Sequence, residues 1–312
     1  MKVIVTGGTG FVGRYVVNLL LEKGYEVHLI VRNREKALSL FGDRAELHET
    51  DLGDAGAIRK LVEGLRPDAV IHLVGILFEE RRKGLTFEKV HYLYSVNLYN
   101  ASKEAGVSRV VHMSALGTHD AAPSRYHQTK RWAEKHLEKT GIPWTVFRPS
   151  LILGPEQRLF ADMDRITRIL PIVALPGGGS YRFQPVDVRD VAECFVTALE
   201  KGEAEGRIYE LCGTEAVTFR KLLSDIFSFW GRRVLMLPLP LKLMFYMGWV
   251  VERLLEPPPF SSDQILMMWR DNVCGEMGDA VSDGVRELLG RDPIPYRESL
   301  SWSLRNYGKA GG

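Results

Sequence analysis

The join between the first strand and the first helix constrains this chain most. Val3-Ile4-Val5 is a continuous apolar run and reads as a buried strand. It breaks at once into Thr6-Gly7-Gly8-Thr9-Gly10-Phe11-Val12-Gly13. Val12, Val16, Leu19 and Leu20 then recur at helical spacing, and Gly24 after Lys23 marks the stop. The glycines fit both GxGxxG (Gly8, Gly10, Gly13) and GxxGxxG (Gly7, Gly10, Gly13). Between a strand and a helix, one such glycine makes the tight turn and one lets the backbone approach a pyrophosphate. A third lets the helix pack close to the strand. The helix N-terminus adds free N–H groups and a partial positive charge. Gly7, Gly8, Thr9, Gly10, Phe11, Val12 and Gly13 are therefore expected to border a bound dinucleotide.

In such a unit an acidic residue about twenty positions past the glycines holds the ribose of NAD. Here that place reads Val31-Arg32-Asn33-Arg34, with no carboxylate before Glu35. A guanidinium matches a 2′-phosphate instead. Arg32 is the candidate, with Arg14 and Arg34 as helpers. NADP(H) is expected in preference to NAD(H).

Strands and helices alternate through the first half. Strands are expected at 27–31, 45–48, 69–74, 109–113 and 144–148. Helices are expected at 34–40, 55–65, 87–105 and 126–140. Such alternation means right-handed βαβ units and a parallel sheet covered on both faces. The expected fold is α/β, a doubly wound parallel sheet (Rossmann fold) with a smaller, mainly helical C-terminal cap. Residues 1–150 form the dinucleotide-binding domain and 151–312 the substrate or cap region, partly interleaved with the sheet. In that region 190–199 and 218–230 read as helices, as does almost everything beyond Pro238.

With 312 residues, 45% of them hydrophobic, the chain can bury a sizeable core. A net charge of +2 and the lack of a basic run argue against a nucleic-acid partner. Cys194, Cys212 and Cys274 form no CxxC pair and no metal-ligand spacing. They are expected to be three buried thiols in a reducing compartment, and no metal site is expected. The N-terminal run is too short for a secretory signal, and no apolar stretch is long enough to span a bilayer. The chain reads as cytoplasmic, with membrane association open through one segment described below.

Tyr126 and Lys130 lie four apart on a predicted helix and so share a face. An ammonium beside a phenol lowers the phenol pKa, and such a tyrosine exchanges a proton while hydride passes to or from a nicotinamide. The pair opens the helix after the fifth strand, which ends at Ser114. In order along the chain, the glycine loop, Asp51-Leu52, His72-Leu73-Val74-Gly75, Ser114, Tyr126/Lys130, Arg148-Pro149-Ser150, Leu153-Gly154-Pro155 and 184–192 resemble the extended and atypical short-chain dehydrogenases/reductases. The resemblance implies that Asp51 and Leu52 lie by the adenine. It implies that Val74 and Gly75 line the cofactor cleft and that Pro149 approaches the nicotinamide; Lys130 is expected to be a ribose ligand as well as the partner of Tyr126. His72 to Ile76, Val110 to Gly117, Ser262-Asp263-Gln264-Ile265 and Asp271-Asn272-Val273 are similar to a narrower subgroup. That subgroup contains the NADPH-binding accessory subunit of respiratory complex I, in which the dinucleotide is structural. In one respect the chain departs from the epimerases. Ser114 and Tyr126 are only twelve apart, and Ala115 and Leu116 stand where a catalytic serine or threonine usually follows. Ser114 is then left as a cofactor contact, and Thr118 is its rival for the third catalytic role.

Leu241 to Leu255 is apolar nearly all round and is followed by Pro257-Pro258-Pro259. Three readings compete: a buried cap helix, the wall of a pocket for an apolar substrate, and a surface for a membrane or a respiratory-complex partner. Two functions follow. One is an NADP-dependent oxidoreductase, or an epimerase working through a keto intermediate, with an unknown small-molecule substrate. The other is a non-catalytic nucleotide-binding subunit for assembly or stability.

Overall fold

The computed structural model describes residues 1–255, 258–276 and 278–309. The first half runs β1 (Lys2–Thr6), α1 (Phe11–Glu22), β2 (Glu26–Val31), α2 (Arg34–Phe41), β3 (Glu46–Glu49), α3 (Ala55–Leu65) and β4 (Ala69–His72). It continues through α4 (Tyr94–Glu104), β5 (Arg109–Met113), α5 (Arg125–Thr140) and β6 (Trp144–Pro149). The second half comprises β7 (Ile152–Leu153), α6 (Arg158–Ile169), β8 (Ile172–Pro176), β9 (Arg182–Phe183), β10 (Val186–Asp187), α7 (Val188–Glu200) and β11 (Arg207–Leu211). After them come β12 (Val217–Thr218), α8 (Phe219–Phe229), β13 (Leu235–Leu239), α9 (Leu241–Leu254), α10 (Ser262–Met267), α11 (Gly284–Leu289) and α12 (Tyr296–Asn306).

Seven parallel strands form the main sheet in the order β11-β6-β5-β4-β1-β2-β3. Its order reverses between β1 and β4, and the carboxyl ends of the strands at such a reversal are where ligands of doubly wound sheets bind. Alternate residues of each strand feed two cores. Val3, Val5, Leu29, Ile71, Val111 and Phe147 face α1 and α7, whereas Ile4, Ile30, Val70, Val110 and Val146 face α3 and α4. A third core joins α6, β8, α8 and α12 through Phe160, Leu175, Leu223, Ile226 and Leu300.

Several elements differ from expectation. β4 ends at His72, two residues early. The helix expected over 87–105 opens as a π-helical turn, Glu88–Leu93, before α4. Such turns gather at functional sites, and this one carries the buried His91 inward. β11 was not expected at all, yet it completes the sheet beside β6.

Two further expectations are corrected. Cys212 and Cys274 are joined in a disulfide, and only Cys194 is free. The bridge spans 62 residues and ties the end of β11 to the loop after Asn272. Its partners meet only once the fold is formed, which sequence spacing could not reveal. The buried-helix reading of 241–255 also fails. Only Met244 and Gly248 of α9 are buried, Gly248 against the turn at Ser261-Ser262. Leu243, Met247, Val250 and Leu254 form an apolar stripe at helical spacing, each at least 41% exposed. α9 ends at Leu254, and Pro257, read as part of its stop, lies outside the described residues. Among the described residues no helix is long and apolar enough to cross a membrane.

Candidate functional site

The glycine loop is built to leave space. The chain turns at Gly7, with φ +76° and its Cα close under the Leu73–Val74 backbone. Gly10 N donates to Gly7 O at 3.0 Å. A Cβ on Gly13 would lie 2.1 Å from Gly7 O, so only glycine lets α1 approach the loop. Gly10 caps α1 without any side-chain hydrogen bond, and the first turn carries no acid. Its N–H groups are left for an anion. Phe11 packs over Gly154, where a Cβ would sit 2.5 Å from the ring. A dinucleotide pyrophosphate fits this cradle.

Beyond the carboxyl end of β3, Asp51 accepts from Gly53 N at 2.8 Å, and Leu52 is buried, its carbonyl held by Asn97 at 2.8 Å. Burial and then Asp51 push the Tyr94 pKa up, while Arg32 opposes them. Arg32 is exposed and, among the described residues, enters no ion pair. The two proposed helpers are engaged elsewhere. Arg14 pairs with Glu156 at 3.0 Å, and Arg34 donates to Leu47 O at 2.9 Å.

At the other end α5 starts with its N–H groups satisfied twice. Ser124 caps it, and the Asp263 carboxylate of α10 accepts from Arg125 N at 2.7 Å and Tyr126 N at 3.0 Å. Lys130, one turn on from Tyr126, is buried and donates to Met113 O at 2.9 Å. Its ammonium lies under Gly75, and burial lowers its pKa to about 8 although Glu134 opposes this. Ser114 is buried and turns its hydroxyl to Thr118, 3.4 Å away. Its N–H donates to Phe147 O, and Leu116 N donates to Pro149 O, so Ser114, Thr118 and Pro149 share one rim. Val74 is half-buried beside exposed Gly75.

Tyr126 behaves otherwise than the four-residue spacing implies. Its ring stands edge-on to Phe87, His91 and His127 at centroid distances of 5.8, 5.2 and 5.1 Å. Burial, and then Asp263, push its pKa up to about 12. In the free protein Tyr126 is therefore a phenol, suited to donating a proton and poor as a base.

Beneath Lys130 lies a layer of neutral histidines that motif reading overlooked. Ser95 donates to His91 O at 2.6 Å, so it accepts from His72 Nε2, and His72 Nδ1 accepts from Thr6. Thr129 donates to helix carbonyls, so it accepts from His91 Nδ1, and His91 Nε2 accepts from Ile76 N. His112 stacks on His72 at 5.6 Å and takes Tyr99 on its Nδ1 side. His127 donates to Leu116 O at 3.2 Å. Burial holds the His72 pKa at about 3 and that of His127 at about 4, with His91 and His112 well below the ordinary value. His72, His91 and His112 also feel Lys130.

Asp271 and Asn272 complete the rim. Asn272 Oδ1 accepts from Ser150 Oγ at 2.7 Å and Leu151 N at 3.2 Å, and its amide donates to Leu116 O. Asp271 accepts from Arg182 N at 2.9 Å.

This crevice belongs with a known group. A family model described as the NAD dependent epimerase/dehydratase family matches residues 3–212. The chain belongs to that family. It is 31% identical over 309 residues to "NADH dehydrogenase (ubiquinone) 1 alpha subcomplex subunit 9, mitochondrial" of Arabidopsis thaliana, covering 94% of this chain and 74% of the relative. To the Mus musculus protein of the same description it is 32% identical, over 78% of this chain and 65% of that one. UDP-glucose 4-epimerase of Thermus thermophilus, solved with NAD, is 22% identical, with a TM-score of 0.70 and 98% of each chain covered. That likeness speaks for the Rossmann architecture alone.

Proposed function

We propose that this member of the family holds NADP(H) as a lasting structural element and serves as a nucleotide-binding subunit at a membrane-associated respiratory assembly. The observation that carries the reading is Tyr126. The charge that acts on it is the Asp263 carboxylate, not an ammonium, and three aromatic rings pack against it, so nothing in the free protein draws its pKa down toward that of a base. The match to respiratory-complex subunits along most of the chain supports the same reading. Thr9, Gly10, Phe11 and Val12 border the pyrophosphate, Asp51 and Leu52 the adenine, and Val74, Gly75, Ser114, Lys130 and Pro149 the nicotinamide half. Bound there, the nicotinamide would supply or accept hydride. A second reading, an NADPH-dependent reductase with Tyr126 as proton donor and Ser114 or Thr118 beside it, draws on the gathering of these groups at the carboxyl ends of β4 to β6.

Purification without added nucleotide distinguishes the two. NADP(H) is expected to remain after dialysis, and Tyr126→Phe is expected to keep it. Substrate-dependent NADPH oxidation that falls a hundredfold or more in Tyr126→Phe would establish the reductase instead. Wild-type protein is expected to prefer NADP(H) over NAD(H). Arg32→Asp should lose about ten- to a hundredfold in NADP(H) affinity, the worth of a charge-assisted contact turned repulsive. Calorimetry with both cofactors measures this, and a wild-type preference for NAD(H) refutes it.

The stripe on α9 is the docking surface in this proposal, apolar and unpartnered among the described residues. Met247→Glu with Val250→Glu should leave the melting temperature unchanged and abolish co-sedimentation with respiratory membranes. A variant that still sediments shows that the contact lies elsewhere.

A further inference from the structure

Away from the crevice, toward the amino ends of β2 and β3, two imidazoles and two carboxylates meet on one sheet face. β2 and β3 pair in parallel with His28 opposite Glu46 and Ile30 opposite His48. Side chains alternate along a strand, so Glu26 and His28 share a face with Glu46 and His48. His28 Nδ1 lies 2.9 Å from His48 Nε2 and 3.7 Å from Glu46 Oε2. One ligand atom from each of His28, Glu46 and His48 falls within 4.8 Å of the other two. The two ring planes lie within 16° of each other, with centroids 5.2 Å apart. On the far side of His28, Nε2 is 2.9 Å from Glu26 Oε1, whose charge Lys2 partly offsets at 3.4 Å.

We propose that His28 Nδ1, His48 Nε2 and Glu46 bind a borderline divalent cation, with zinc as its representative. The tautomer decides the first ligand. An ionised carboxylate only accepts, so His28 Nε2 carries the proton and donates to Glu26, and the Nδ1 lone pair faces the cluster. A carboxylate behind an imidazole, orienting it toward a metal, is the usual support of such ligands. Size agrees as well. Zinc–ligand bonds near 2.0–2.2 Å in tetrahedral array set neighbouring ligand atoms roughly 3.3 Å apart. The distances of 2.9 and 3.7 Å bracket that value, so small ring rotations and movement of the exposed Glu46 suffice. The nitrogen-rich set selects zinc-like ions over magnesium or calcium, which take oxygen. An ion here would staple the edge strand β3 to β2, whose far ends carry Asp51 and Arg32 toward the cofactor.

Calorimetric titration of the tag-free protein with zinc chloride, with magnesium chloride as control, tests this. One zinc per chain is expected at micromolar or tighter affinity, with a melting temperature raised by several degrees and no response to magnesium. His48→Gln should weaken uptake at least tenfold, and so should Glu46→Gln, whose exposed side chain is dispensable for folding. Absence of stoichiometric uptake by the wild type overturns the proposal, and so does uptake that His48→Gln retains. If His48→Gln does not fold, Glu46→Gln decides, and affinity within threefold of wild type overturns it.

Discussion

Replacing Gly13 with alanine is expected to abolish dinucleotide binding, by more than a hundredfold, and to destabilise the fold by several kcal/mol. The new methyl carbon would stand 2.1 Å from Gly7 O, 2.7 Å from Gly8 Cα and 2.8 Å from Gly8 C. All three are main-chain atoms, so no rotamer change relieves the overlap. Either α1 moves off the loop or the loop opens, and overpacking alone costs about 1–3 kcal/mol before the phosphate cradle is considered. Gly64 in α3 is the control, because a Cβ there meets nothing within 4 Å. Gly64→Ala should stabilise by roughly 0.5–1 kcal/mol through helix propensity and leave binding untouched. Chemical denaturation of the two variants should give shifts of opposite sign, and cofactor titration should show a loss for Gly13→Ala alone. Normal binding by Gly13→Ala would show that the pyrophosphate lies elsewhere.

Mild acid is expected to unfold this protein unusually early. His72, His91, His112 and His127 stay neutral in the fold because burial depresses their pKa values, to about 3 for His72 and about 4 for His127. In the unfolded chain each takes a proton near pH 6.5. The unfolded state thus binds more protons below that pH, and stability falls as pH drops. Each histidine contributes about 1.4 kcal/mol per pH unit until its folded pKa is reached. Above about pH 6.5 the contribution is fully present. Asp190, Glu210 and Asp263 act in the opposite sense, since burial raises their pKa values and favours the fold in acid. Their number is smaller, so the histidines prevail. A net loss of at least about 3 kcal/mol is expected between pH 6.5 and 4.5, read as a falling urea midpoint. His72→Gln should reduce the slope by about one proton. Stability unchanged from pH 7 to 5 would contradict the burial of this layer.

What could be read from residues alone was what is local. Strand and helix periodicity placed the first six strands, because each βαβ unit repeats a pattern visible within thirty residues. β11 escaped because Ile208-Tyr209-Glu210-Leu211 is short and follows a polar turn. The two-residue strands of the C-terminal region have no period to detect. The π-helical turn at Glu88–Leu93 changes hydrogen bonding without altering apolar spacing. At the crevice, the Tyr126–Lys130 spacing stated a shared face but could not state the charge beside it. That charge comes from Asp263, 137 residues from Tyr126. The disulfide and the Asn272 contacts are long-range for the same reason. Histidines 72, 91 and 112 looked ordinary singly, and only the stacking of β4, β5 and the π turn makes them a layer.

The hold of Asn272 on Ser150, across 122 residues, sets an order of events during synthesis. The strands of the first half leave the ribosome before the segment that completes their rim. At about 5–20 residues per second that interval is on the order of ten seconds. During it the loops after β5 and β6 lack their amide partner, and Cys212 waits for Cys274. The strands of the sheet are thus synthesised well before the residues that finish the rim beside them.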